Sequence, residues 1–202
     1  MLAVELADLI SDIPSYRLVG FVENQDPERC ELKIEGLPVH WIESIGNLAR
    51  DHYAVCGIST THRVRFIEQV ASYGMRFATL IHPTTRVSSR TPVGEGSIIG
   101  AGVQVGACSQ IGRHVFINRG ALIGHHTKIF DYVTIQPGAN VAGACEIGEG
   151  TYIAMGAIVI ERKKIGAHSV IGAGSMVTKD IPDHVQVVGF PARIVKRNIT
   201  GR

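Results

Sequence analysis

The chain lacks the features that would place it in a simple class. Its four cysteines, Cys30, Cys56, Cys108 and Cys145, fall in no CxxC or CxxxC spacing. No ligand cluster accompanies them, which argues against a zinc site and a disulfide scaffold. They read as reduced, small, buried apolar residues. The densest basic run is Arg162-Lys163-Lys164 and the net charge is +2, too little for a nucleic-acid footprint. No apolar run approaches the ~20 residues of a membrane span. The start, MLAVELADLI, has neither a basic segment nor a small-residue cleavage site, so no signal peptide is read and the cytoplasm is the default. What remains is 202 residues with 45% hydrophobic content, enough for a small domain plus a repeat domain.

Glycine is plentiful, at 23 residues, and most of it follows residue 90. There a strict period of six begins. Val87, Val93, Ile99, Val105, Ile111, Ile117, Ile123, Ile129, Ile135, Val141, Ile147, Ile153, Val159, Ile165, Ile171 and Val177 hold only Val or Ile with no slip of register. Neither a helix nor a hairpin meander has this period. It predicts a triangular solenoid, the left-handed parallel β-helix, with one hexad per side and about five coils. The β-branched residue points inward. The residue after it is often Gly (Gly94, Gly100, Gly106, Gly112, Gly124, Gly148, Gly166, Gly172), read as supplying corner backbone. Four residues after each Val/Ile lies a second inward position with mostly small residues, among them Ser97, Ser109, Ala121, Thr127, Ala139, Cys145, Thr151 and Ser169.

Residues 1–80 read as a small α/β domain around a parallel sheet. Leu2, Leu6, Leu9 and Ile10 share one helix face, RLVGFVEN is a strand, LPVHW a strand or turn, Ile42–Arg50 a helix and HYAVCGI a buried strand. Thr61 is placed to cap a helix over 61–73, and FATLIHP is a strand leading to the solenoid. The solenoid spans 81–180. Residues 181–202, with Pro182 and Pro191, read as a coil or hairpin that folds over the last turn. An open end would expose unpaired strand edges.

The repeat, the ending Val187-Val188-Gly189-Phe190-Pro191-Ala192-Arg193-Ile194-Val195 and the α/β start together resemble the bacterial sugar O- and N-acyltransferases. The bacillosamine N-acetyltransferase and sialic acid O-acetyltransferase types belong to that group. The resemblance covers about residues 2–197. It implies a homotrimer with acetyl-CoA as acyl donor, bound between neighbouring solenoids, and an acceptor sugar carried on a nucleotide. The family's first domain normally opens with a strand and a Gly-rich turn for the nucleotide's phosphates. This chain begins at the helix that should follow, so either it is shortened relative to the family or its acceptor differs. Gly20-Phe21-Val22-Glu23-Asn24 resembles a family stretch in which an acidic side chain contacts base or ribose, which implies that role for Glu23 and Asn24.

Acyl transfer needs a base for the acceptor's proton, donors for the oxyanion, and a groove for the donor's arm. With Ile123 and Thr127 inward, His125 and His126 lie on the outer side of the coil. Histidine suits proton transfer near neutral pH. The resemblance implies that His125 is the general base. The acid that normally follows is here His126, so Asp131 could supply the carboxylate, or His126 could accept a hydrogen bond as a neutral ring. A zinc pair is disfavoured, because adjacent side chains diverge on a strand. By resemblance Asn118 lies near the acceptor, although an Asn tolerated at a left-handed corner is the plainer reading. Thr134 stands where some relatives carry a second histidine. The resemblance implies that the Gly143 N–H faces the thioester oxygen, that Met155 and Ala173 line the donor groove and that Lys179 and Arg193 meet phosphates; ordinary corner packing or a solvated charge is the alternative for each. The leading expectation is N-acetylation of an amino sugar, with O-acetylation and a non-catalytic scaffold as alternatives. Glu161-Arg162-Lys163-Lys164 is read as a solvated corner, with a phosphate contact as the alternative, and His62, His82, His114, His168 and His184 as surface or strand-end residues.

Overall fold

A computed structural model describes residues 2–202; the side chain of Leu2 lies outside the described residues. The chain divides into two compact units. One comprises residues up to Ile58 together with Arg63–Ala78, the other Ser59–His62 together with Thr79–Arg202.

The second unit is the left-handed parallel β-helix. Each hexad contributes a two-residue strand, such as Phe116–Ile117, Leu122–Ile123 or Lys128–Ile129. Each strand pairs in parallel with the strand eighteen residues on, as in Gln110 with Lys128 and Leu122 with Asn140. Three hexads therefore make one coil. The Val/Ile row is buried from Ile99 to Val177 and forms one continuous core. Each such side chain contributes about 1.5–3 kcal/mol of transfer free energy. The second inward row is fully buried at Ser97, Ser109, Thr127, Cys145, Thr151 and Ser169. These polar groups stitch the coils together. Ser109 Oγ donates to Gly124 O at 2.8 Å and accepts from Thr127 N at 3.2 Å. The Cys145 thiol reaches Ile160 O at 3.2 Å, and burial pushes that thiol's pKa up.

The glycines after each Val/Ile serve a different purpose from the one expected. Their φ angles are not left-handed. A β-carbon on Gly124 would run into the backbone of Ala142 and Gly143 on the next coil. These glycines permit close stacking of coils at each corner. The left-handed slot lies two residues later, at Gly102, Gly120, Gly138 and Gly156, and also at Cys108, His114, His126, Tyr132 and Arg162.

The three outward rows differ in chemistry. Lys128, Glu146 and Lys164 form a charged row, with Lys164 Nζ 3.4 Å from Glu146. Ile98, Phe116, Thr134, Tyr152 and Val170 form a buried row. Ile199 packs on Tyr152 and Val170, and Arg202 lies over the Tyr152 ring. The third row carries exposed apolar side chains, Leu122 and Ile158, in a parallel sheet from Arg86–Val87 to Met176–Val177. Past the last coil, Val185–Gly189 extends the buried-row sheet and pairs antiparallel with Ala192–Arg197; the Phe190–Pro191 peptide between them is cis.

In the first unit, helix Leu2–Ser11 buries Leu6 and Ile10 and leaves Leu9 half-buried. Phe21–Glu23 pairs in parallel with Leu37–Trp41, and Tyr53–Ala54 with Arg76–Phe77. Ile42–Leu48 is a 3₁₀ helix rather than an α-helix, with Ile42 and Ile45 buried against Met75. The strand expected over 52–58 is limited to Tyr53–Ala54. Thr61 does not cap the following helix, Val64–Ser72, because a 3₁₀ turn at Thr61–Arg63 intervenes. Thr61 Oγ1 instead donates to Arg202 O and accepts from Arg202 N, both at 2.8 Å. Two other readings are corrected. Cys108 is exposed, and His114 is buried, stacked on Tyr132 with ring centroids 5.4 Å apart.

Candidate active site

The corner after Leu122–Ile123 carries His125 and His126. The turn Gly124–Thr127 is bracketed from within by Ser109, which binds Gly124 O and Thr127 N. His126 N donates to Ala107 O at 3.0 Å, and His125 O accepts from Ala144 N at 2.8 Å. His126 sits in the left-handed slot, with φ 57°. That backbone swings its ring toward His125 rather than away, as two adjacent residues on a strand would point. The Nδ1 atoms are 2.9 Å apart and the rings are nearly perpendicular, at 86°. One Nδ1 must therefore donate and the other accept. The divergence used to set aside a zinc pair does not hold here. Among the described residues, no group of three His, Cys, Asp or Glu is arranged to hold a metal ion.

The outer edge of the His125 ring lies over Gly143 on the next coil. A β-carbon at Gly143 would stand 2.9 Å from His125 Nε2 and Cε1. The Gly143 carbonyl accepts from Arg162 N at 3.0 Å, while its N–H makes no hydrogen bond among the described residues. Both histidines are exposed. The corner thus presents an open ring nitrogen beside a backbone donor with no partner.

Asp131 is occupied on a different corner, where its Oδ1 accepts from Arg113 N at 2.8 Å, so it does not orient His125. Lys179 stands two residues past Val177 as His125 stands two past Ile123, in register with the same corner and exposed. Glu161, Arg162 and Lys163 occupy the same corner between Gly143 and Lys179, a stretch that sequence reasoning left between a solvated corner and a phosphate contact.

Asn118 follows the buried-row sheet, on the next corner round the coil. Its Oδ1 accepts from Arg119 N at 2.8 Å and its Nδ2 reaches Gln136 Oε1 at 3.5 Å. Its φ is not left-handed, so the corner-tolerance reading fails. Met155 and Ala173 are exposed on that same corner, and Gly174 N donates to Met155 O. The N–H groups of Met155 and Ala173 also have no partner among the described residues. Thr134 is fully buried in the outward row of that sheet. Arg193 is exposed on the terminal hairpin and donates to Ala192 O.

Glu23 and Asn24 lie in the first unit. Glu23 Oε1 accepts from the N–H groups of Asn24 and Gln25, each at 2.8 Å, and Arg29 approaches Oε2 at 3.3 Å. The Gln25 N–H chiefly holds the Glu23 carboxyl below its ordinary pKa; partial burial opposes it, and Asn24 and Arg29 assist. Asn24 Nδ2 donates to Gln69 Oε1 at 2.8 Å.

Residues 126–161 match the family described as Bacterial transferase hexapeptide (six repeats). A histidine-to-asparagine mutant of perosamine N-acetyltransferase from Caulobacter crescentus, in complex with CoA and GDP-perosamine, superposes with TM-score 0.76 and 30% identity, covering 81% of this chain and 80% of that one. The acetyltransferase domain of PglB from Neisseria gonorrhoeae FA1090, in complex with acetyl coenzyme A, gives TM-score 0.87 and 27% identity over 96% of this chain and 94% of that one. WeeI from Acinetobacter baumannii AYE gives 0.88 and 25% over 96% and 95%. A serine acetyltransferase of Bacillus pumilus (strain SAFR-032) is 64% identical over 28 residues, which are 14% of this chain and 13% of that enzyme. The chain belongs to the bacterial sugar acyltransferases. The likeness extends through both units, because the matches to PglB and WeeI cover nearly the whole chain. No helix among the described residues of this acyltransferase is long and apolar enough to cross a membrane.

Proposed function

We propose that this acyltransferase moves an acetyl group from acetyl-CoA to the amine of a sugar carried on a nucleotide. The observation that carries the reading is the corner geometry: His125 Nε2 is open beside Gly143, while His125 Nδ1 is engaged by His126. Nε2 takes the amine's proton as the nitrogen adds to the thioester carbon. The Gly143 N–H donates to the oxygen as it gains charge. The C–S bond then breaks, and the proton on Nε2 passes to the leaving sulfur. Two solved relatives hold CoA or acetyl-CoA, and one of them holds GDP-perosamine, which supports this donor and this class of acceptor.

The donor's arm requires a second wall. Met155 and Ala173, whose N–H groups suit a run of amides, stand on a different corner from His125. The apolar row with Leu122 and Ile158 separates those two corners. A second copy packed on that row would bring its Met155 corner against the first copy's His125. This favours a homotrimer whose site lies between copies. Lys179, three coils above His125 and roughly 14 Å away at parallel-strand spacing, then meets the donor's phosphates, with Arg193 as a further contact. Asn118 remains assigned to the acceptor, whereas Thr134 is fully buried and is withdrawn from it; Glu23 and Asn24 remain assigned to binding a nucleotide.

The test is acetyl-CoA consumption with a panel of nucleotide-linked sugars bearing amine or hydroxyl acceptors, comparing the native chain with His125→Ala. The expected result is turnover on an amine, reduced about 10²–10⁴-fold in the variant with CoA binding retained. Turnover restricted to hydroxyl acceptors would replace the amine assignment. Absence of CoA binding would make the solenoid a scaffold, and undiminished turnover in His125→Ala would remove the base.

A further inference from the structure

We infer that His126 is a positioning residue that locks His125 in the Nδ1–H tautomer by acting as a neutral hydrogen-bond acceptor. The inference rests on the reading of His125 as the base. A neutral imidazole carries one proton, and the nitrogen that holds it is set by the hydrogen bond the other ring makes. Two Nδ1 atoms 2.9 Å apart leave two arrangements. If His125 Nδ1–H donates, its Nε2 keeps a lone pair beside Gly143 and can accept a proton. If His126 Nδ1–H donates, His125 must carry its proton on Nε2 and is inert as a base. Only the first arrangement serves acyl transfer. It requires His126 to hold its own proton on Nε2, away from His125.

The backbone makes this contact possible. His126 occupies the left-handed slot at φ 57°, held by His126 N to Ala107 O at 3.0 Å. On the preceding corner this slot holds glycine, as at Gly120 and Gly138, whereas on this corner it takes side chains, Cys108, Ala144 and Arg162 as well as His126. A large side chain there costs conformational energy. Protonation of His126 would reverse the bond, because an imidazolium has no acceptor nitrogen. The pair therefore delivers a basic Nε2 only while His126 is neutral, a condition a carboxylate partner would not impose.

The slot's own chemistry supplies the test. His126→Gly removes the acceptor and relaxes the backbone. His126→Asn keeps an acceptor oxygen close to the Nδ1 position and tolerates the left-handed conformation. In ¹⁵N-histidine-labelled protein, with His125 assigned by loss of its signals in His125→Gln, native His125 is expected to be protonated on Nδ1. In His126→Gly its Nε2–H population rises, and kcat falls at least roughly tenfold with KM unchanged, since a histidine base in the wrong tautomer is a poor catalyst. His126→Asn restores both the tautomer and most of kcat. A native His125 protonated on Nε2, or a tautomer that does not respond to His126→Gly, overturns the positioning role. The two readings fail separately. If His125→Gln turns over normally while the tautomer lock is seen, the base assignment falls; if that variant is dead and no lock is seen, the base stands and the role of His126 falls.

Discussion

Two glycines one coil apart at the corner that carries His125 exclude a side chain for different reasons. A β-carbon on Gly124 meets the backbone of the coil above, whereas one on Gly143 has the ring of His125 as its nearest neighbour. Gly124→Ala is therefore expected to destabilise the solenoid by about 1–3 kcal/mol, the usual cost of overpacking, seen as a lower denaturant midpoint. Gly143→Ala should leave that midpoint nearly unchanged. It should lower kcat by about 10²-fold or more, because a displaced ring no longer brings Nε2 to the acceptor. Equal loss of stability in both variants would contradict the distinction. Glu23 offers a second prediction at this scale. Its pKa is depressed in the folded chain, so its contribution is present above the unfolded value of about 4.5 and is lost as pH falls through the lower, folded value. Amide exchange at Asn24 and Gln25 should accelerate on acidification across that window, and Glu23→Gln should remove the pH dependence.

At the scale of the element, the corners lying over Ser97, Ser109, Thr127, Thr151 and Ser169 are turns held from inside by a hydroxyl. Ser109 joins Gly124 O to Thr127 N across the turn that carries both histidines, and it is fully buried. Ser109→Ala leaves the Thr127 N–H buried without its acceptor, at a cost of about 1–3 kcal/mol. Urea unfolding should show that loss, and kcat should fall with it as the corner loosens. A variant with native stability would mean that water or a shifted backbone satisfies Thr127 N. The small inward residues were legible from the period of six. Their hydrogen bonds were not, since a Ser in that slot reads as merely small until the coil above it is in place.

For the whole molecule, the outward rows decide how the prism is used. The charged row pairs Lys164 with Glu146 across adjacent strands and needs no cover. The row with Leu122 and Ile158 leaves apolar groups exposed on a flat parallel sheet. Leu122→Lys or Ile158→Lys should dissociate the proposed trimer in sedimentation velocity and abolish turnover, with the monomer's circular dichroism retained. Lys128→Glu, on the charged row, should do neither. A trimer that survives both apolar-row changes would place the interface elsewhere.

The strict six-residue period of Val and Ile, by itself, determined the β-helix, its inward rows and the corner on which His125 stands, because a repeat that must stack on itself leaves one solution. The α/β start was legible more coarsely. Its strands are two to five residues long and Ile42–Leu48 is a 3₁₀ helix, since short segments take their form from packing and not from periodicity. Tertiary structure alone decided the purpose of the corner glycines, which depends on the distance to the next coil. It alone turned His126 onto His125, because a left-handed φ brings together two side chains that strand geometry separates. It alone removed Asp131 from the site, because residues six apart in this repeat stand on different corners however close they are in the chain.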